Sequence, residues 1–244
     1  MESIFKVISW SLLPTVAIFA GGLYALVRTP GPAARSVILH FAAGVVFSVV
    51  SVELLPDIIK RHEPVEIIIG FTAGIATMLG LRLLSRRAEE TDEGQLSEAS
   101  LPGGLLLGIA VDVAVDGLLL GIGFASGTSI GTMLTLALAV ELLALGLATS
   151  TSLREKKLSK KTTAALIFLL SSLFMLTSIV GVTVLRQLSG GNLEIVLSFG
   201  LSALLFLVTE ELLVEAHEEK ETPLHTASFF LGFLVLLILD MLGK

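Results

Sequence analysis

Residues 101–152 read LPGGLLLGIAVDVAVDGLLLGIGFASGTSIGTMLTLALAVELLALGLATSTS, and this stretch decides the fold. Its two apolar runs, 101–125 and 130–152, each exceed the ~20 residues a helix needs to cross the hydrocarbon of a bilayer. Each also carries acid near its middle, Asp112 and Asp116 in the first and Glu141 in the second. Asp112 and Glu141 both lie about twelve residues into their runs. At ~1.5 Å per residue that puts them near mid-depth. Membrane strands are not expected, because a barrel alternates apolar and polar residues in segments of ~10 rather than running apolar for 20.

Working outward, six more runs qualify as spans, at approximately 4–27, 36–57, 65–84, 162–185, 193–215 and 224–242. The whole chain is expected to be an all-α membrane protein, one domain of eight transmembrane helices. Composition agrees: 54% of residues are hydrophobic and 16% charged, with a mean hydropathy of +0.91. A soluble domain carries nearer ~25% charged residues. With no cysteine, disulfides and thiolate metal sites are excluded. The net charge of −6, with basic residues in short clusters between apolar runs, offers no nucleic-acid face. The first run holds both Glu2 and Lys6 ahead of it, continues to Val27 and meets no convincing cleavage site, so a retained helix is expected rather than a signal peptide.

Residues 85–100, SRRAEETDEGQLSEAS, read as a polar, mobile loop. Orientation follows from Lys and Arg. Arg28, Arg35, Arg82, Arg86, Arg87, Arg154, Lys156, Lys157, Lys160, Lys161 and Lys220 flank one side; Lys6, Lys60, Arg61, Arg186 and Lys244 flank the other. The richer side is expected to be cytoplasmic, which puts both termini outside the cell membrane.

The chain also repeats. FAAGVVFSVVSVELLPD (41–57) and FGLSALLFLVTEELLVE (199–215) match at an offset of 158, with Phe41 on Phe199, Glu53 on Glu211 and Asp57 on Glu215. In the central stretch, Ala110-Val111-Asp112 matches Ala139-Val140-Glu141, and Gly117 matches Gly146. Within each pair the expected topology runs the helices in opposite directions. That predicts a 3+2+3 inverted-topology repeat, as many secondary transporters have, with the binding site near the midplane.

A carboxylate at the bilayer centre costs on the order of 2.5–3.5 kcal/mol on insertion scales, so Asp112, Asp116 and Glu141 are functional candidates. Asp116, one turn from Asp112, shares its face. No Lys, Arg or His is expected at that depth, which leaves protonation or a bound cation as stabiliser. The alternative is that these are protonated acids bonded to helix backbones or to Ser and Thr. Glu53, Asp57 and Asp240 are expected toward the outside, and His40, Glu210, Glu211, Glu215, His217 and His225 toward the cytoplasm. Snorkelling to water would account for Asp57, Glu215 and the histidines equally well. Carboxylate oxygens suit divalent cations, and imidazoles suit transition metals. Gly70, Gly74, Gly117, Gly121 and Gly123 fit close helix packing and carry no chemistry.

This pattern resembles the Zrt/Irt-like (ZIP) family of divalent-metal transporters over nearly the whole chain. The residues that carry the resemblance are Phe41–Gly44 with Glu53–Pro56, Glu210–His217 (EELLVEAH), and an eighth helix ending at Asp240. The resemblance implies transport of zinc, iron or manganese into the cytoplasm through a centre between the fourth and fifth helices, with a possible homodimer. It puts Asp112 and Asp116 in the places of the His and Glu of the fourth-helix HNxPEG motif, and Glu141 first in the fifth-helix motif. The motif's Asn and Pro are here Val113 and Val115; Ala144 and Leu145 replace Pro and Glu; and a sixth-helix acid is Ser178. The lost nitrogens weaken the case for zinc and favour harder ions such as manganese, with iron also in range. The lost prolines imply straighter fourth and fifth helices.

The expected function is therefore a divalent-cation transporter working by rocking or elevator motion. Glu53 and Asp240 gather the ion outside; Asp112, Asp116 and Glu141 bind it; Glu210, Glu211, His217 and His225 receive it inside. The alternative is a non-transporting relative that senses metal or partners another membrane protein. An enzyme is not expected, since neither an HExxH helix nor a GxGD pair is present.

Overall fold

Proline and glycine punctuation sets the helix boundaries. In the computed structural model, which describes residues 2–93, 102–185, 188, 190–217 and 222–243, three helices open on Pro32, Pro64 and Pro223. Proline suits that first turn because its missing N–H would have no partner there. The helices are α1 (Glu2–Val27), α2 (Pro32–Arg61), α3 (Pro64–Glu93), α4 (Gly103–Ser126), α5 (Thr128–Glu155), α6 (Lys160–Leu185), α7 (Gly191–Ala216) and α8 (Pro223–Gly243). His62, with φ of 59°, ends α2 in the left-handed conformation. The Ser159 hydroxyl caps the start of α6, accepting the Thr162 N–H at 3.1 Å. Gly127 alone separates α4 from α5.

Among the described residues there are eight helices long and apolar enough to cross a membrane, and no strand. Large apolar side chains cover the outside, including Ile68, Leu83, Phe168 and Phe230. Water does not tolerate apolar surface on that scale, whereas lipid does. This is a multi-pass membrane protein.

Several boundaries differ from expectation. The third helix does not stop at residue 84 but continues through 85–93, half of the stretch read as a loop. The sequence RRAEETDE lacks glycine and proline and is rich in good helix formers, so the helix propagates once nucleated. The remainder of that loop, 94–100, lies outside the described residues. The second helix runs beyond residue 57 to Arg61.

Packing divides the bundle into two groups of four helices. In one, α1 packs on α5 and α6, and α4 on α6 and α5. In the other, α2 packs on α8 and α3 on α7. The groups meet mainly where α2 lies against α5 and α3 against α4. Glycines set the tight crossings, because only a missing side chain lets backbones approach so closely. A Cβ on Gly146 would stand 2.2 Å from the Ile18 carbonyl oxygen, and one on Gly117 2.6 Å from that of Phe174. A Cβ on Gly232 would stand 2.2 Å from the Phe41 oxygen, and one on Gly74 2.8 Å from that of Phe199. Gly70 and Gly121 are similarly engaged, so the packing role read from the sequence is observed.

Helices α2 and α7 share a further irregularity. Each widens into a π-helical turn, Val50–Leu54 in α2 and Leu207–Leu212 in α7. In α2 the next turn holds Pro56, whose ring would clash with the carbonyl four residues back in a regular helix. In α7 the matching residue is Val214, and nothing in the structure explains the turn there. The two helices run antiparallel, since Arg35 near the start of α2 pairs with Glu215 near the end of α7, and Arg61 at the end of α2 pairs with Glu194 near the start of α7.

Candidate functional site

Helix α5 is the most buried span and α3 the least, so α4 and α5 present their acids to the interior. Asp116 and Glu141 are each 1% exposed. Asp112 and Glu141 line a cavity of about 330 Å³ together with Glu211, Glu215 and Arg82. The cavity runs toward the helix ends that carry Ser85, Leu105 and Glu215. Asp112 and Glu211 are hydrogen-bonded to each other, a contact between two groups that are acceptors only when ionised. Asp112, Asp116, Glu141 and Glu211 all lie within electrostatic reach of one another. Asp112 Oδ1, Asp116 Oδ2 and Glu141 Oε2 are buried without a hydrogen-bond partner. An apolar bundle that collects four carboxyl groups and leaves three of their oxygens unsatisfied forgoes stability, because each such atom carries its full desolvation cost.

Glu211 therefore stands with Asp112, Asp116 and Glu141. Its neighbour Glu210 is turned outward and bonded to Arg82. The π-helical turn contains both residues, and the wider turn alters which way each of them faces. Arg82, counted in the sequence only as a topology charge, forms part of the cavity wall and sits 5.8 Å over the Phe206 ring.

Three histidines come together from α2, α8 and the end of α7. The His40 ring lies 5.0 Å from that of His217 and 5.5 Å, stacked, from that of His225. His40 Nδ1 is 2.8 Å from the Ser36 carbonyl oxygen, His217 Nδ1 meets the Leu213 carbonyl, and His225 Nδ1 is buried without a partner. Among the described residues, no group of three or more His, Asp and Glu has the arrangement to hold a metal ion as it stands.

The outer candidates are not open. Glu53 is 8% exposed and accepts the Ser129 hydroxyl at 3.0 Å, and Asp240 is 4% exposed. Neither lines the cavity beside Asp112. Asp57 pairs with Arg61, and Ser178, standing where an acid was sought, donates to the Phe174 carbonyl at 2.8 Å. Sequence reasoning missed Glu194, a buried acid that accepts from Arg61 at 2.8 Å. Its signal was an acid just inside an apolar run, next to the Gly190-Gly191 start.

No protein-family model matches the chain, and no characterised protein does.

Proposed function

We propose that this protein is a ZIP-like transporter of divalent cations, carrying manganese, iron or zinc toward the cytoplasm on Asp112, Asp116, Glu141 and Glu211. The observation that carries this reading is the cluster itself: four carboxyl groups in mutual reach inside an apolar bundle, three with an unsatisfied buried oxygen. A divalent ion would satisfy those oxygens, and an all-oxygen site suits manganese best. Binding requires the side chains to draw together, since they do not form a coordination sphere as they stand. The cavity beside Asp112 supports an inward-facing arrangement in which the ion leaves past Arg82 and Glu215, while Glu53 and Asp240 remain covered.

An inverted repeat is part of the proposal. The π-helical turns of α2 and α7 end at Leu54 and Leu212, 158 residues apart, in helices that run antiparallel. Gly74 packs on the Phe199 carbonyl and Gly232 on that of Phe41, and both members of the contact are related by the same offset. Two four-helix groups meeting along limited contacts support movement of the group containing α4 and α5 against the other.

A second reading, a metal sensor or membrane partner that does not transport, is favoured by the absence of a ready coordination sphere among the described residues. Uptake of manganese, zinc, iron and cadmium into proteoliposomes separates the two. Saturable uptake abolished by both Asp112→Asn and Glu141→Gln supports transport. Carboxylate-dependent binding without uptake supports the sensor.

A further inference from the structure

Two segments far apart in sequence meet over one cavity at the end of the bundle where basic residues concentrate. Segment 28–35 carries Arg28 and Arg35; segment 154–161 carries Arg154, Lys156, Lys157, Lys160 and Lys161, with Glu155 as the only acid in either. Between them lies a cavity of about 760 Å³, which shares Glu215 with the one beside Asp112 and is bordered by Leu26, Val27, Arg35, Thr151, Arg154 and Lys160. Glu155 and Glu215 also border it, and Glu215 is neutralised by Arg35.

We propose that this cavity binds the phosphate headgroup of an anionic phospholipid from the leaflet on that side. Its volume is in the range of pockets that enclose small ligands, ~300–1,000 Å³. Its walls are amphipathic. Val27 is 88% exposed and, with Leu26, offers apolar surface at the end of α1, while the guanidinium and ammonium groups stand at the helix ends, where headgroups lie. Arg35 gives one nitrogen to Glu215, and its Nε is buried without a partner in the protein. Arg154 gives one nitrogen to the Leu158 carbonyl. Excess Lys and Arg alone is a general property of cytoplasmic loops. Here three of the cations, Arg35, Arg154 and Lys160, border one concave site.

The walls come from both helix groups, α1, α5 and α6 on one side and α2 and α7 on the other. A headgroup held there bridges the groups, so its occupancy biases how they sit against each other.

Native mass spectrometry of the full-length protein in detergent, titrated with phosphatidylglycerol or phosphatidylcholine, tests the site. The wild type is expected to prefer phosphatidylglycerol. The double variant Arg154→Gln/Lys160→Gln should lose about tenfold or more of that affinity, since each cation near an anionic surface contributes appreciably. Arg86→Gln/Arg87→Gln, which removes equal charge in the C-terminal part of α3, should change it less than about twofold. Lys160→Glu, at an exposed position, gives the same readout if the double variant does not fold. Equal losses in the two double variants would assign binding to diffuse charge and overturn the proposal. So would the absence of a lipid preference, or displacement of the lipid by equimolar glycerol phosphate, which would make the ligand a free phosphate.

Discussion

Replacing Gly44 by alanine should disrupt the α2–α8 crossing, whereas the same replacement at Gly80 should do no harm. A Cβ on Gly44 would lie 1.9 Å from the Phe229 carbonyl oxygen, 2.8 Å from its carbon and 3.0 Å from the Phe233 nitrogen. Carbon and oxygen approach to about 3.3 Å without strain, so the two helices must separate by about 1.4 Å. All three contacted atoms are backbone, so no rotamer change relieves the clash. Overpacking of this kind costs about 1–3 kcal/mol, and a rigid backbone contact belongs at the upper end. Gly80 lies inside α3 with nothing within 4 Å of its would-be Cβ. Alanine there gains helix propensity of about 0.5–1 kcal/mol. Thermal unfolding of the purified protein in detergent micelles, followed by circular dichroism, is the assay. The expected order is Gly80→Ala at or above wild type, with Gly44→Ala well below both. Equal melting temperatures for the two variants would refute the close crossing of α2 and α8.

Other predictions concern charge. Glu194→Gln should destabilise by about 1–3 kcal/mol, because it breaks a pair whose acid is nearly fully buried, while Asp57→Asn, at a half-exposed helix-end pair, should cost about 0.5 kcal/mol or less. Unfolding in a denaturant series compares the two directly. Arg82→Gln removes a cation from the cavity wall beside Asp112 and Glu211. It should tighten manganese binding, since it removes a positive charge that repels the ion, by an amount reduced by the Arg82–Glu210 pair. Isothermal titration of manganese reads that shift, and unchanged affinity would remove Arg82 from the site.

How much was legible in the sequence depended on the kind of signal. Acids inside apolar runs stand out, so Asp112, Asp116 and Glu141 were found at once, and they do meet. Glu211 was found, but its contact with Asp112 was not, because its direction depends on a π-helical turn that hydropathy does not register. Arg35, Arg61 and Arg82 were read only as loop charges. Their length lets them reach back along α7 to Glu215, Glu194 and Glu210, and reach is a property of packing rather than of position in the chain. Glycine spacing identified close packing, yet the partner of each glycine emerges only from the folded bundle. The offset of 158 was legible in residue identities, and it recurs in the π-helical turns and in the Gly74 and Gly232 contacts.

The most direct test of the central claim is equilibrium binding of manganese to the purified protein, compared among wild type, Asp112→Asn, Glu141→Gln and Glu211→Gln. A single saturable site in the wild type, weakened at least about tenfold in each variant, is the predicted result. Binding that is absent in the wild type, or that persists unchanged when two of these acids are neutralised, would contradict a cation site built from these buried carboxyl groups.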